Sequence, residues 1–396
     1  MGILYQPKFT FFISFAILIL HNSDGVRVVA SQQRALFVFG DSLVDVGNNN
    51  FLNSIAKSNY FPYGIDFNMQ PTGRFSNGKT FVDIIGEMLG LPYPSPFADP
   101  NTRGVKLLGG VNYASAAAGI LDESGQHYGE RYALNQQVLN FETTLDQLRT
   151  MMGNDNLTSF LAKSVAVLVF GSNDYINNYL MPAIYSSSFN YNPVQFGNLL
   201  LNRYAPQLLT LYNLGLRRMF VAGIGPLGCI PNQRAAGQPA PGRCVDYVNN
   251  ILGTFNEGLK SLVDQLNKRP GAVVAYGNTY GAVGDILNSP ATYGNKAQNL
   301  SMPFLFSFVC RYRCILIMKE TAGFNVVDRG CCGIGRNQGQ ITCLPFAYPC
   351  TNRNQYVFWD AFHPTQAVNA ILARRAIYGP PSDAYPFNIQ QMTLVN

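Results

Sequence analysis

Ala35-Leu36-Phe37-Val38-Phe39-Gly40-Asp41-Ser42-Leu43 decides how this chain is read. An unbroken apolar run ended by Gly-Asp-Ser predicts a strand buried on both faces that stops in a tight turn. Ser42 then stands at the carboxyl end of the strand, the edge where open α/β sheets bind ligands. A serine so placed is a candidate nucleophile. Gly, Asp and Ser are also ordinary turn residues, so the tetrapeptide alone reads as a turn. The far end of the chain changes that, because Asp360-Ala361-Phe362-His363-Pro364 supplies an acid and a base.

Working outward, three more apolar runs end in the same way. They are Val165 to Phe170 before Gly171-Ser172-Asn173-Asp174, Arg218 to Ala222 before Gly223-Ile224-Gly225-Pro226, and Ala272 to Tyr276 before Gly277-Asn278. Continuous rather than alternating runs are expected of a parallel sheet covered on both faces. Helical periodicity fills the intervals: Thr80 to Leu89, the stretch beyond Gln136 through Leu148, Val194 to Leu214 and Val248 to Leu266. Strand-helix alternation predicts a flavodoxin-like α/β/α sandwich around a central parallel sheet.

The first residues read as a targeting segment. Lys8 precedes the apolar block Phe9 to Leu20, which is too short to span a bilayer and suits a signal peptide. Val28-Val29-Ala30 places cleavage after Ala30, leaving residues 31–396 as a single domain. The best later candidate for a span, Phe304 to Met318, is interrupted by Arg311 and Arg313, each costing about 3 kcal/mol at a helix centre. The net charge of +6 is spread along the chain, with no basic and aromatic clustering of the kind nucleic acid requires.

Eight cysteines in a secreted chain suggest disulfides, of unspecified connectivity. A bridge closing the Cys229–Cys244 loop would contribute about 3 kcal/mol. Cys331, Cys332, Cys343 and Cys350 crowd the segment upstream of His363, without the Cys-x-x-Cys or histidine spacing that zinc demands. Asn156 and Asn299 each begin an Asn-x-Ser/Thr acceptor sequence, which marks surface.

Acyl transfer by serine needs a base in reach, an acid to orient it and donors for the oxyanion. After the signal segment the only histidines are His127 and His363. His127 sits in a polar stretch and reads as a solvated surface residue. His363 has Asp360 three positions earlier, beside it if the segment is a helical turn; Asp360 could equally be a helix N-cap. Two rivals fail. Gly-x-Ser-x-Gly, the nucleophile elbow of α/β-hydrolases, does not occur. Gly223-Ile224-Gly225-Pro226-Leu227-Gly228 imitates a dinucleotide loop, but Pro226 interrupts it and no suitable acid follows.

Four ordered blocks now carry a resemblance. Phe39 to Asn49, Gly110 to Ile120, Gly171 to Tyr175, and Asp360 to Pro364 resemble the blocks of plant-type GDSL esterase/lipases of the SGNH hydrolase superfamily, and the similarity covers nearly all of residues 35–380. The resemblance implies Ser42 as nucleophile, His363 as base and acid, and Asp360 as its orienting carboxylate. It implies an oxyanion hole from the N–H of Ser42, the N–H of Gly119 and the side-chain amide of Asn173. Ala116-Ala117 stand where the family often has glycines.

One segment departs from the family: residues 295–322 intervene between flanks that otherwise run together, and carry Cys310, Cys314 and Asn299. It reads as a translated retained intron or a lineage-specific loop. The expectation is a secreted, extracellular, monomeric serine esterase or lipase acting on carboxylic esters through an acyl-serine. It requires no cofactor, metal, nucleic acid or membrane span. The alternatives are an extracellular acyltransferase of the cutin-synthase type, or a catalytically silent wall or carbohydrate-binding protein.

Overall fold

A computed structural model describes residues 34–295 and 323–395. The predicted signal segment lies outside the described residues. So do positions 296–322 of the predicted insert, with Cys310, Cys314 and Asn299.

Nine strands occur among the described residues: β1 (Leu36–Gly40), β2 (Ser95–Pro96), β3 (Val111–Asn112), β4 (Val165–Val169), β5 (Arg218–Ala222), β6 (Val273–Gly277), β7 (Val326–Gly330), β8 (Tyr356–Phe358) and β9 (Ala384–Tyr385). Seven form one sheet in the order β2-β3-β1-β4-β5-β6-β9. All its pairings are parallel except β6 with β9. The long parallel strands are the apolar runs of the sequence, and β1 is buried along its whole length. β7 and β8 pair separately, and β8 leads directly into the segment that carries Asp360 and His363.

Among the helices of the outer layers are α1 (Phe81–Met88), α2 (Leu134–Met152), α3 (Pro193–Asn213), α4 (Gly253–Leu266), α5 (Thr279–Asn288) and α6 (Gln366–Tyr378). Phe37 and Phe39 of β1 pack with Phe141, Leu145, Leu200 and Phe255 of α2, α3 and α4. Leu36 and Val38 point the other way, against Val82 and Ile85 of α1 and Ala373 and Ile377 of α6. The period of two along β1 thus sorts its side chains into two cores, which gives the predicted three layers. The helix read over Val248–Leu266 is broken into Asp246–Asn250 and α4. The break falls just before Gly253, a poor helix former.

Sheet order positions the site. From β1 the chain moves out to the edge strand β2, steps back in to β3, then crosses to the other side of β1 to lay down β4, β5 and β6. The direction of winding therefore reverses between β1 and β4, and the crevice outside the carboxyl ends of those strands is where such sheets bind ligands. Gly40 pairs with Val169, Val169 with Ala222 and Ala222 with Gly277, so the four strands end level.

Candidate active site

Ser42 sits inside the turn that follows β1, two residues beyond Gly40. The Asp41 N–H donates to the Val169 carbonyl of β4, and the N–H groups of Val44 and Asp45 close the turn onto the Asp41 carbonyl. Asp41 also accepts the Leu43 N–H at 2.9 Å through Oδ1. Its Oδ2 is buried with no hydrogen-bond partner among the described residues. Burial pushes this carboxyl up to about 7.

His363 and Ser42 are 321 positions apart, yet Nε2 and Oγ lie 2.7 Å from each other. On the other side of the ring, Nδ1 is 2.8 Å from each Asp360 oxygen. With Nδ1–H donated to the carboxylate, Nε2 is left to accept the serine proton. Asp360 is fully buried and His363 nearly so. Burial alone would raise the Asp360 carboxyl. The His363 ring and the donors from Tyr63 and the Phe362 N–H outweigh that and hold it below the usual carboxylate range.

The segment that brings acid and base together is not a helical turn. Asp360 Oδ1 accepts the N–H groups of Phe362 and His363, both at 2.8 Å, in a side-chain-closed bend. The cap of the following helix α6 is Thr365, so Asp360 has no N-cap role there. The bend is anchored twice more. The Trp359 N–H donates to the His363 carbonyl at 2.8 Å, and the N–H groups of Cys331 and Cys332 donate to the carbonyls of Phe358 and Trp359. Cys229–Cys244, Cys331–Cys350 and Cys332–Cys343 are bridged, which supplies the connectivity that the sequence left open.

Asn173 follows β4 and lines the same cleft as Ser42 and His363. Its Nδ2 donates to the Ala118 carbonyl at 2.9 Å, while Oδ1 accepts from Asn177 at 2.6 Å. Those two bonds fix the amide's orientation, and its second amide hydrogen has no acceptor among the described residues. Gly119 is next to Ala118 but does not line the cleft. A Cβ there would stand 2.5 Å from both Asp174 Oδ1 and Ser124 Cβ, so only glycine fits. The N–H groups of Ser42 and Gly119 have no acceptor among the described residues. Ala117, in the preceding turn, has φ of 65°, the left-handed conformation that glycine adopts without strain.

The remaining block residues stitch the site together. Asp45 accepts the N–H groups of Gly47, Asn48 and Ala116. Asn49 accepts from Ser115 Oγ at 2.6 Å. Asp174 accepts from the N–H groups of Ile120 and Leu121 and from Ser124 Oγ. Burial pushes Asp45 and Asp174 up to about 6. His127 stands apart from the cleft. It is half-buried rather than solvated, with Nδ1 2.8 Å from the Tyr185 hydroxyl and its ring against Tyr128. The pseudo-dinucleotide stretch after β5 is a loop.

A serine hydroxyl shared with an imidazole that is itself held by a buried carboxylate is the arrangement of nucleophilic acyl transfer. Comparison with known proteins agrees with that geometry. A family model described as GDSL-like Lipase/Acylhydrolase matches residues 36–376. The chain belongs to the GDSL-like lipase/acylhydrolase family. That membership makes it an ester hydrolase. Among similar Arabidopsis thaliana proteins, GDSL esterase/lipase At1g71250 is 64% identical over 373 residues, spanning 93% of this chain and 92% of that protein. GDSL esterase/lipase At5g08460 is 52% identical over 382 residues, spanning 95% and 92%. GDSL esterase/lipase 7 is 45% identical over 363 residues, spanning 90% and 91%. Among the described residues, no helix is long and apolar enough to cross a membrane.

The sequence reading missed Tyr63, whose hydroxyl donates to Asp360 Oδ2 at 2.6 Å. One tyrosine among many, far from Asp360 in the chain, carries no local pattern that could have marked it.

Proposed function

We propose that this protein is a secreted, extracellular serine esterase that cleaves carboxylic esters through an acyl-serine intermediate, acting as a monomer without cofactor or metal. The reading takes residues 1–30 as a removed signal peptide and 31–396 as the working domain. The observation that carries it is the 2.7 Å approach of Ser42 Oγ to His363 Nε2.

Ser42 Oγ bonds to the ester carbonyl carbon as its proton passes to Nε2 of His363. The imidazolium formed is stabilised by the Asp360 carboxylate, which keeps its charge throughout. When the carbon–oxygen bond to the alcohol breaks, Nε2 returns the proton to the departing oxygen. Water then attacks the acyl-serine, gives its proton to Nε2, and the serine recovers that proton as the acid leaves. The oxyanion is met by the N–H of Ser42 and the amide of Asn173, both of which line the cleft; the N–H of Gly119, outside that lining, is the third donor that the family resemblance implies. Removing one such donor costs about 100- to 1,000-fold in rate.

The test is hydrolysis of p-nitrophenyl esters of short and long acids by the secreted mature chain and by Ser42→Ala. Turnover lost in a folded Ser42→Ala supports the mechanism. Undiminished turnover by that variant removes Ser42 from it.

A further inference from the structure

The cleft at Ser42 does not stop there. It continues past the level ends of β4, β5 and β6 at Val169, Ala222 and Gly277. One face of α6 forms the opposite wall, through Val368, Leu372 and Ala376 at helical spacing. Its walls are mainly carbon. The far end is charged, where Arg375 is held by Asp383 and, at 2.7 Å, by Asp285.

Two rulers give the length. Three strand spacings separate β1 from β6, about 14 Å at 4.8 Å each. Along α6, Val368 to Ala376 rises about 12 Å at 1.5 Å per residue. A staggered hydrocarbon with C–C bonds near 1.5 Å spans that distance in about ten carbons. Beyond it, apolar atoms would have to displace the partners of an ion pair.

Glycine lines this trench at two places. At Gly277 a Cβ would lie 2.3 Å from the Phe220 ring, so the wall cannot be thickened there. At Gly225, half-buried in the loop after β5, a Cβ would lie 3.5 Å from Thr279 Cγ2 and 4.0 Å from Val283 Cγ2, ordinary contact distances. Gly225 has no positive φ either. It is the lining glycine where added carbon narrows the bore without breaking the wall.

We propose that this trench takes the acyl chain of the ester and that Gly225 is the residue that sets the chain length accepted. The proposal rests on the ester-hydrolase reading above. It assigns a straight acyl group of about ten carbons, lying from Ser42 toward Arg375.

The experiment compares kcat/KM for p-nitrophenyl decanoate and p-nitrophenyl acetate in the wild type, in Gly225→Val and in Val283→Phe, each checked for folding by its Tm and circular dichroism. The decanoate-to-acetate ratio is expected to fall about tenfold or more in both variants, a loss on the scale of one to two methylenes in a closed pocket. An unchanged ratio in folded variants overturns the proposal. If the wild type cleaves neither ester, the ester reading has failed, and binding of decanoate to wild type and Gly225→Val by calorimetry decides the trench. Binding lost in the variant supports it. Equal binding, or none to either, overturns it.

Discussion

Tyr63 and Asp360 lie 297 positions apart in the chain and share a 2.6 Å hydrogen bond. Tyr63 is fully buried, ringed by Tyr60, Phe75 and Trp359. It is the donor that faces the carboxylate from outside the bend, where Phe362 and His363 donate from within.

Tyr63→Phe keeps the ring and removes that donor. Donors to a carboxylate favour its charged form, so the Asp360 carboxyl should rise toward its ordinary range. The acid limb of the kcat/KM profile should move to higher pH. The lost bond to a buried charge should cost about 1–3 kcal/mol of stability. Kinetics across pH and a thermal melt check both.

Asp360→Asn should leave the fold standing and lower kcat about 10,000-fold, because the amide no longer fixes the tautomer that presents a bare Nε2 to Ser42. Active-site kinetics with matched melting curves test this. A loss of less than tenfold would mean that Asp360 orients nothing the reaction uses.

Stability should favour mild acid. Burial raises Asp41 to about 7 and Asp45 and Asp174 to about 6. Each binds its proton more tightly folded than unfolded, so stability falls as pH climbs from about 4 to about 7. Asp360 acts oppositely: its lowered value adds stability above the ordinary carboxylate range that is lost in stronger acid. Tm should therefore peak near about pH 4–5 and decline toward pH 8. Asp41→Asn, which has no charge to bury, should flatten the decline above about pH 5, as read by scanning fluorimetry across pH.

The paired bridges under the bend should matter to both stability and rate. Cys332→Ser with Cys343→Ser opens a loop of sequence separation 11 and should cost about 3 kcal/mol. It should also lower kcat, since the Cys332 N–H holds the Trp359 carbonyl beside Asp360. Melting curves and p-nitrophenyl ester turnover of the double variant provide the check.

How much of this was legible in the sequence follows from how local each cause is. β1, β4, β5 and β6 were legible because burial on both faces demands an unbroken apolar run. Ser42 and Asn173 were legible as the residues just past two of those runs. β2, β3 and β9 were not, because two-residue strands carry no period. That Asp360 and His363 meet was legible from their spacing, but the cause of the meeting was not. A side-chain-closed bend, not a helical turn, brings them together. Asp45, Asn49 and Asp174 belonged to recognised blocks, yet their work as acceptors for the N–H groups of other blocks depends on tertiary distances. Ala117 likewise showed only its departure from glycine, and its positive φ emerged in three dimensions.

The proposed nucleophile, Ser42, is laid down near the start of the chain, and its proposed base arrives only at position 363. No fragment ending before that position contains both. A nascent chain still on the ribosome, a prematurely terminated one, or a product clipped upstream of the bend lacks the pair, and lacks with it α6, whose Ala373 and Ile377 pack against β1, so on the proposed mechanism it is chemically mute. On that mechanism hydrolytic competence is a certificate of synthesis through position 363, issued only once the last tenth of the polypeptide has begun to fold back against the first.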